Sequence, residues 1–119
     1  MADHEDEMAG YLAHTLFRAF MAIGMACETL PLPIRFPDDG NPANARQAVA
    51  RAAELVTEQP IPLDMQAALH AACVHWVAAA DLLLVLLGND YEEIRAEGVM
   101  GNLLYTYDVL RLFTERNAE

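Results

Sequence analysis

The chain has 119 residues, with 18 acidic side chains against 7 basic ones and a net charge of −11. That length is one domain's worth and can build a core without disulfide or metal staples, and an apolar share of 55% argues against disorder. So acidic a chain is repelled by phosphate backbones and by anionic membrane surfaces, which leaves acidic mimicry of nucleic acid as the only route into nucleic-acid biology.

Alanine occurs 21 times and lysine not at all. The alanines favour helix; the missing lysine reads as coding bias rather than mechanism. The first predicted helix covers about 4–28. Acids crowd its start, where the helix dipole favours them. Glu7, Tyr11, His14, Arg18, Met21, Met25 and Glu28 recur at three-to-four spacing, which leaves the remaining surface to face other helices. The acidic N-terminal stretch lacks the basic start of a secretory signal.

Residues 30–41 cannot form a regular element. Pro31, Pro33 and Pro37 block helix continuation, and Asp38-Asp39-Gly40-Asn41 is turn chemistry. Asn41-Pro42 reads as an N-cap and a first helical residue. The second helix, about 43–58, is plainly amphipathic. Ala45, Ala48, Val49, Ala52, Leu55 and Val56 form one face; Arg46, Gln47, Arg51, Glu54 and Glu58 form the other.

Pro60 and Pro62 separate it from a third helix over about 63–87, which Gly88 stops. From Ala71 onward this helix is apolar nearly all round. The run approaches membrane-spanning length, but His75 and Asp81 interrupt it and an aspartate near mid-helix is costly in lipid. The expectation is a central helix of a bundle, and, because four helices rarely cover one of their number completely, a homodimer formed over it. A fourth helix over about 90–116 starts with Asp90-Tyr91-Glu92-Glu93, which has the form of a capping box. Its polar stripe is Glu93, Glu97, Asp108, Arg111 and Glu115, and Gly98 and Gly101 are expected inside, beside Ile94, Tyr105 and Leu112. The fold class is therefore all-α, a four-helix bundle with a proline-rich 30–41 loop.

Few residues carry chemistry. Asp81 stands in the most apolar stretch and must be paired, hydrogen-bonded or protonated. One reading is an ordinary ion pair; the other is an acid or base with a raised pKa. His70 shares its helical face, about three turns away, while His75 lies opposite, beside Trp76. Lone histidines on apolar helices are more often satisfied core residues than ligands. Tyr105, Asn102, Cys73, Trp76 and His14 are further candidates for lining a ligand site, each with a structural reading beside it. Cys27 and Cys73 share no metal spacing and read as buried free thiols of a reducing cytosol, with a disulfide as the lesser alternative.

No Glu-x-x-His or His-Glu-x-x-His pattern supports a metal site, so no metal and no cofactor is expected. The chain contains no serine, which excludes a serine nucleophile. Two functions remain. In one, the bundle encloses an apolar small-molecule pocket in which Asp81, His70 and His75 act as cofactor-independent acid and base, as in an isomerase, cyclase or lyase. In the other, the chain is a non-enzymatic, acidic protein–protein interaction module, working as a homodimer.

Overall fold

Three groups of helix breakers divide the chain, and the computed structural model, which describes residues 2–119, shows four helices between them. They are α1 (Ala2–Glu28), α2 (Pro42–Val56), α3 (Leu63–Leu87) and α4 (Glu93–Asn117), and no strand occurs among the described residues. The fold is the all-α, four-helix arrangement that the periodicity predicts.

The loop between α1 and α2 is fixed at several points. Ile34 N–H donates to Cys27 O at 3.2 Å. Phe36 stacks on Phe20 with ring centroids 5.1 Å apart. A Cβ on Gly24 would lie 3.3 Å from the Phe36 ring, so the missing side chain is what lets the ring approach α1. Gly40, at φ 71°, supplies the left-handed step before α2. Asn41 Oδ1 then accepts from Ala43 N–H at 3.0 Å, with Pro42 at the first helical position.

α2 ends at Val56, two residues short of the expected boundary. Thr57, Glu58 and Gln59 each donate N–H to the carbonyl three residues back. This tighter turn carries the Gln59 side chain inward. The Gln59 carboxamide donates to Leu32 O at 2.8 Å and accepts from Leu32 N–H at 3.0 Å. α4 starts three residues later than its acidic box suggests. Glu92 is the N-cap, in extended conformation and with no side-chain capping bond. Tyr91, ahead of the first helical residue, packs partly buried against the core.

α3 is the middle of the molecule and packs against α1, α2 and α4. Leu69, Ala72, Cys73, Trp76, Ala79 and Leu83 form its inner face, meeting Leu12, Ile23, Val49, Val99, Leu103 and Phe113. Each such large side chain contributes about 1.5–3 kcal/mol by burial, so truncating Leu103 to alanine costs about 2–5 kcal/mol. The molecule measures 49 × 26 × 18 Å, which leaves room for two helix layers. Three neighbours cover three sides of α3, and its fourth side stays open.

α4 corrects one expectation. Its inner face is Ala96, Val99, Leu103, Thr106, Val109, Leu110 and Phe113. Ile94, Tyr105 and Leu112, expected inside, are 71%, 47% and 56% exposed. The helix has apolar residues on opposite sides, and the side with Gly98 and Gly101 lacks the volume to fill a core.

Candidate functional site

The carboxylate of Asp81 is not sequestered. Helix α2 lies along α3 so that Arg46 Nε donates to Asp81 Oδ1 at 2.7 Å and Arg46 Nη2 to Oδ2 at 2.9 Å. Both side chains are close to half exposed. The two-pronged hydrogen bond to the guanidinium, helped by its charge, holds the Asp81 pKa below the ordinary carboxyl value despite partial burial. A raised pKa, the condition for an acid at neutral pH, is therefore not what this position provides. Arg46 belongs to the polar face of the second helix; only the fold reveals that it meets Asp81, 35 residues away.

His70 also faces α2. Its Nδ1 lies 2.7 Å from Ala53 O, and a carbonyl only accepts, so Nδ1 carries the proton. His70 and Asp81 thus line the α2–α3 contact, each with its own partner.

His75 points the other way, to α4. His75 Nδ1 lies 2.8 Å from Asn102 Oδ1, and Asn102 Nδ2 donates to Gly98 O at 2.9 Å. Since the amide nitrogen is spent on that carbonyl, Nδ1 of His75 is again the donor. The ring of Tyr105 packs on His75 at a centroid distance of 4.3 Å. Three of the expected residues, His75, Asn102 and Tyr105, thus come together on the outer seam between α3 and α4.

The remaining candidates lie elsewhere. Trp76 is buried against Phe20 and donates Nε1–H to Leu16 O at 2.9 Å. Cys73 and Cys27 are buried free thiols. Burial pushes the Cys27 thiol up to about 12, and it pushes Cys73 up as well, with the charge of Cys27 adding to the effect. Neither is an activated nucleophile. His14 is exposed on α1, away from the others. Among the described residues no three His, Cys, Asp or Glu side chains converge as a metal site would require.

Two shallow clefts, both open to solvent, lie on the surface of the described residues. One, of about 360 Å³, lies between the proline-rich loop and α2 and is lined by Pro33, Ile34, Arg35, Ala48, Arg51 and Leu55. The other, of about 320 Å³, lies between the start of α3 and the end of α4, among Asp64, Met65, Leu112, Phe113 and Arg116. Asp81, His70, His75, Tyr105, Cys73, Trp76, Asn102 and His14 line neither.

The seam around His75 belongs to a wider surface. Ala67, Ala71, Val74, Ala78, Leu82 and Val85 recur at three-to-four spacing along the open side of α3. Ile94, Gly98, Gly101 and Tyr105 do the same on the adjoining side of α4. Leu82 sits against Gly98, joining the two stripes. Val74, Val85, Ile94 and Tyr105 are between 43% and 71% exposed. None of these ten positions is charged. Apolar periodicity does not distinguish this side of α4 from a core face; the one sequence signal is the small volume of Gly98 and Gly101.

Comparison of the chain with models of known protein families, with curated proteins and with solved structures returns no match.

Proposed function

We propose that this chain is a non-enzymatic interaction module that pairs with a second copy of itself through the open α3–α4 face. The observation that carries the reading is the uncharged stripe from Ala67 to Val85 beside Ile94, Gly101 and Tyr105, on a molecule of net charge −11. Two such molecules repel each other through every acidic surface. An uncharged stripe, bordered on α4 by Glu97 and Asp108, is where they can approach at least cost, and its alanines and glycines let helices come close.

The size of the face is consistent with a modest dimer. The α3 stripe is roughly 27 Å long at 1.5 Å per residue, and two packed helices are about 20 Å across. That gives on the order of 500 Å² per protomer, about 1,000 Å² in all, below the range of stable specific interfaces and at the size of a weak one. The acidic surfaces left outside would steer a basic partner toward the dimer.

The engagement of Asp81 by Arg46 and of His70 by Ala53 O supports this reading over acid–base catalysis, since both groups already have structural partners. A sample mixing isotope-labelled and unlabelled protein tests it. Intermolecular nuclear Overhauser effects between Val74 or Ala78 and Tyr105 are expected. Their absence under conditions where other intermolecular contacts appear would place the interface elsewhere and defeat the assignment.

A further inference from the structure

The cleft between the proline-rich loop and α2 has a charge pattern opposite to that of the molecule. Of the seven arginines, Arg46, Arg95, Arg111 and Arg116 make ion pairs. Arg18, Arg35 and Arg51 make none among the described residues, although acidic side chains outnumber basic ones 18 to 7, and the last two of these line the cleft. Among the described residues no carboxylate lines the cleft. Its remaining walls, Pro33, Ile34, Ala48 and Leu55, are apolar.

The backbone on either side of Arg35 is anchored before any ligand arrives. Gln59 grips Leu32 through both amide groups. Ile34 N–H is bonded to Cys27 O, and Phe36 is stacked on Phe20. In an extended segment neighbouring side chains alternate, so anchoring Ile34 and Phe36 inward turns Arg35 outward. Arg51 comes from α2, in line with Ala48 and Leu55 at helical spacing. Arg35 and Arg51, both exposed, therefore line the rim of a cleft whose other walls are apolar, and the loop backbone that carries Arg35 needs little ordering to bind.

We propose that this cleft binds a small monocarboxylate with an apolar body, the carboxylate between Arg35 and Arg51 and the body against Ile34 and Leu55. Guanidinium forks match a carboxylate in geometry. A volume of about 360 Å³ suits a small ligand. The surrounding field of a chain at −11 works against polyanions, so a single charge is favoured over a nucleotide or polyphosphate. The cleft does not include the α3–α4 face, and its ligand does not depend on whether the chain dimerises.

The test is titration of the full-length, ¹⁵N-labelled chain with sodium hexanoate, read by amide chemical shifts. Shifts confined to residues 32–36 and 48–55 are expected, and Arg35→Gln and Arg51→Gln, both at exposed positions, should each weaken binding about tenfold. Hexanol, which keeps the body and lacks the charge, should bind far more weakly, as should inorganic phosphate. No localised shift at about 10 mM hexanoate, a concentration matching only a very weak complex, would overturn the proposal. So would equal binding of hexanol or of phosphate, or arginine variants that bind as the parent does. An acetylated peptide ending in leucine that binds much more tightly than hexanoate would also overturn it, by making the cleft a site for a chain terminus instead.

Discussion

Arg46 and Asp81 tie α2 to α3 through two parallel hydrogen bonds, of 2.7 and 2.9 Å, made at the surface of the helix contact. The pair answers the question posed by an aspartate within the sequence Trp76–Leu87: the carboxylate lies at the edge of the apolar helix, where an arginine from the neighbouring helix reaches it. Asp81→Asn should therefore leave the fold intact and lower the melting temperature only slightly near pH 7, as for other exposed pairs. The sign of the pH effect follows from the lowered pKa of Asp81. Its stabilisation is present above the ordinary carboxyl value of 3.8 and is lost as the pH falls through the lower, folded value. Melting curves of parent and variant, separate near neutrality, should converge in strong acid.

Gln59 is one of two buried polar residues among the described residues, at 5% exposure, and serves the loop rather than a reaction. Gln59→Leu keeps the volume but strips the partners from Leu32 N–H and Leu32 O. Losing both is expected to cost about 2–6 kcal/mol, at 1–3 kcal/mol for each unsatisfied group. Denaturant melts would measure the loss, and amide exchange at residues 32–36 should rise together with it. Unchanged protection of that loop would mean that the stacking of Phe36 on Phe20 suffices to hold it.

The buried thiols give the protein an alkaline weakness. In the unfolded chain a cysteine ionises near 9.0, whereas burial pushes Cys27 up to about 12. The stabilisation from keeping this thiol neutral is complete below 9.0 and is lost as the pH rises toward the folded value. Across that window stability should fall by about 1.4 kcal/mol per pH unit for a single such thiol. Cys27→Ala should flatten part of this slope, whatever its cost in packing at neutral pH. Thiol-reactive dyes should label the native protein only as fast as it opens.

Trp76 offers a direct view of the core. It is 3% exposed and donates to Leu16 O, so its emission should be blue-shifted in the native state and move red on unfolding. Trp76→Phe retains an aromatic ring facing Phe20 but gives up the hydrogen bond and some buried area. A loss of about 1–3 kcal/mol is expected from chemical denaturation, since Leu16 O loses a partner and the smaller ring leaves space.

Helix positions were legible because their punctuation is local. Proline and glycine interrupt the backbone wherever they stand, and Asn41-Pro42 caps α2 as such a pair should. Partner identity is not local. That Asp81 needed a counterpart followed from its surroundings, but the choice of Arg46 depends on how α2 is laid against α3. The orientation of α4 failed for a related reason. Val99, Leu103 and Phe113 on one side and Ile94, Tyr105 and Leu112 on another give two apolar stripes, and periodicity alone does not say which one faces α3. Gln59 carries no sequence signal at all, because a glutamine in a turn between two helices is ordinarily exposed.

Sedimentation equilibrium of the parent chain and of Gly101→Arg tests most directly whether the α3–α4 face joins two copies. A Cβ at Gly101 meets nothing within 4 Å in the single chain, and arginine is the better helix former, so the variant should fold at least as well as the parent. At about 100 μM, well above the dissociation constant of a micromolar dimer, the parent is expected at twice the monomer mass and Gly101→Arg at the monomer mass. A parent that remains monomeric at that concentration, or a variant that dimerises equally well, would contradict pairing through this face.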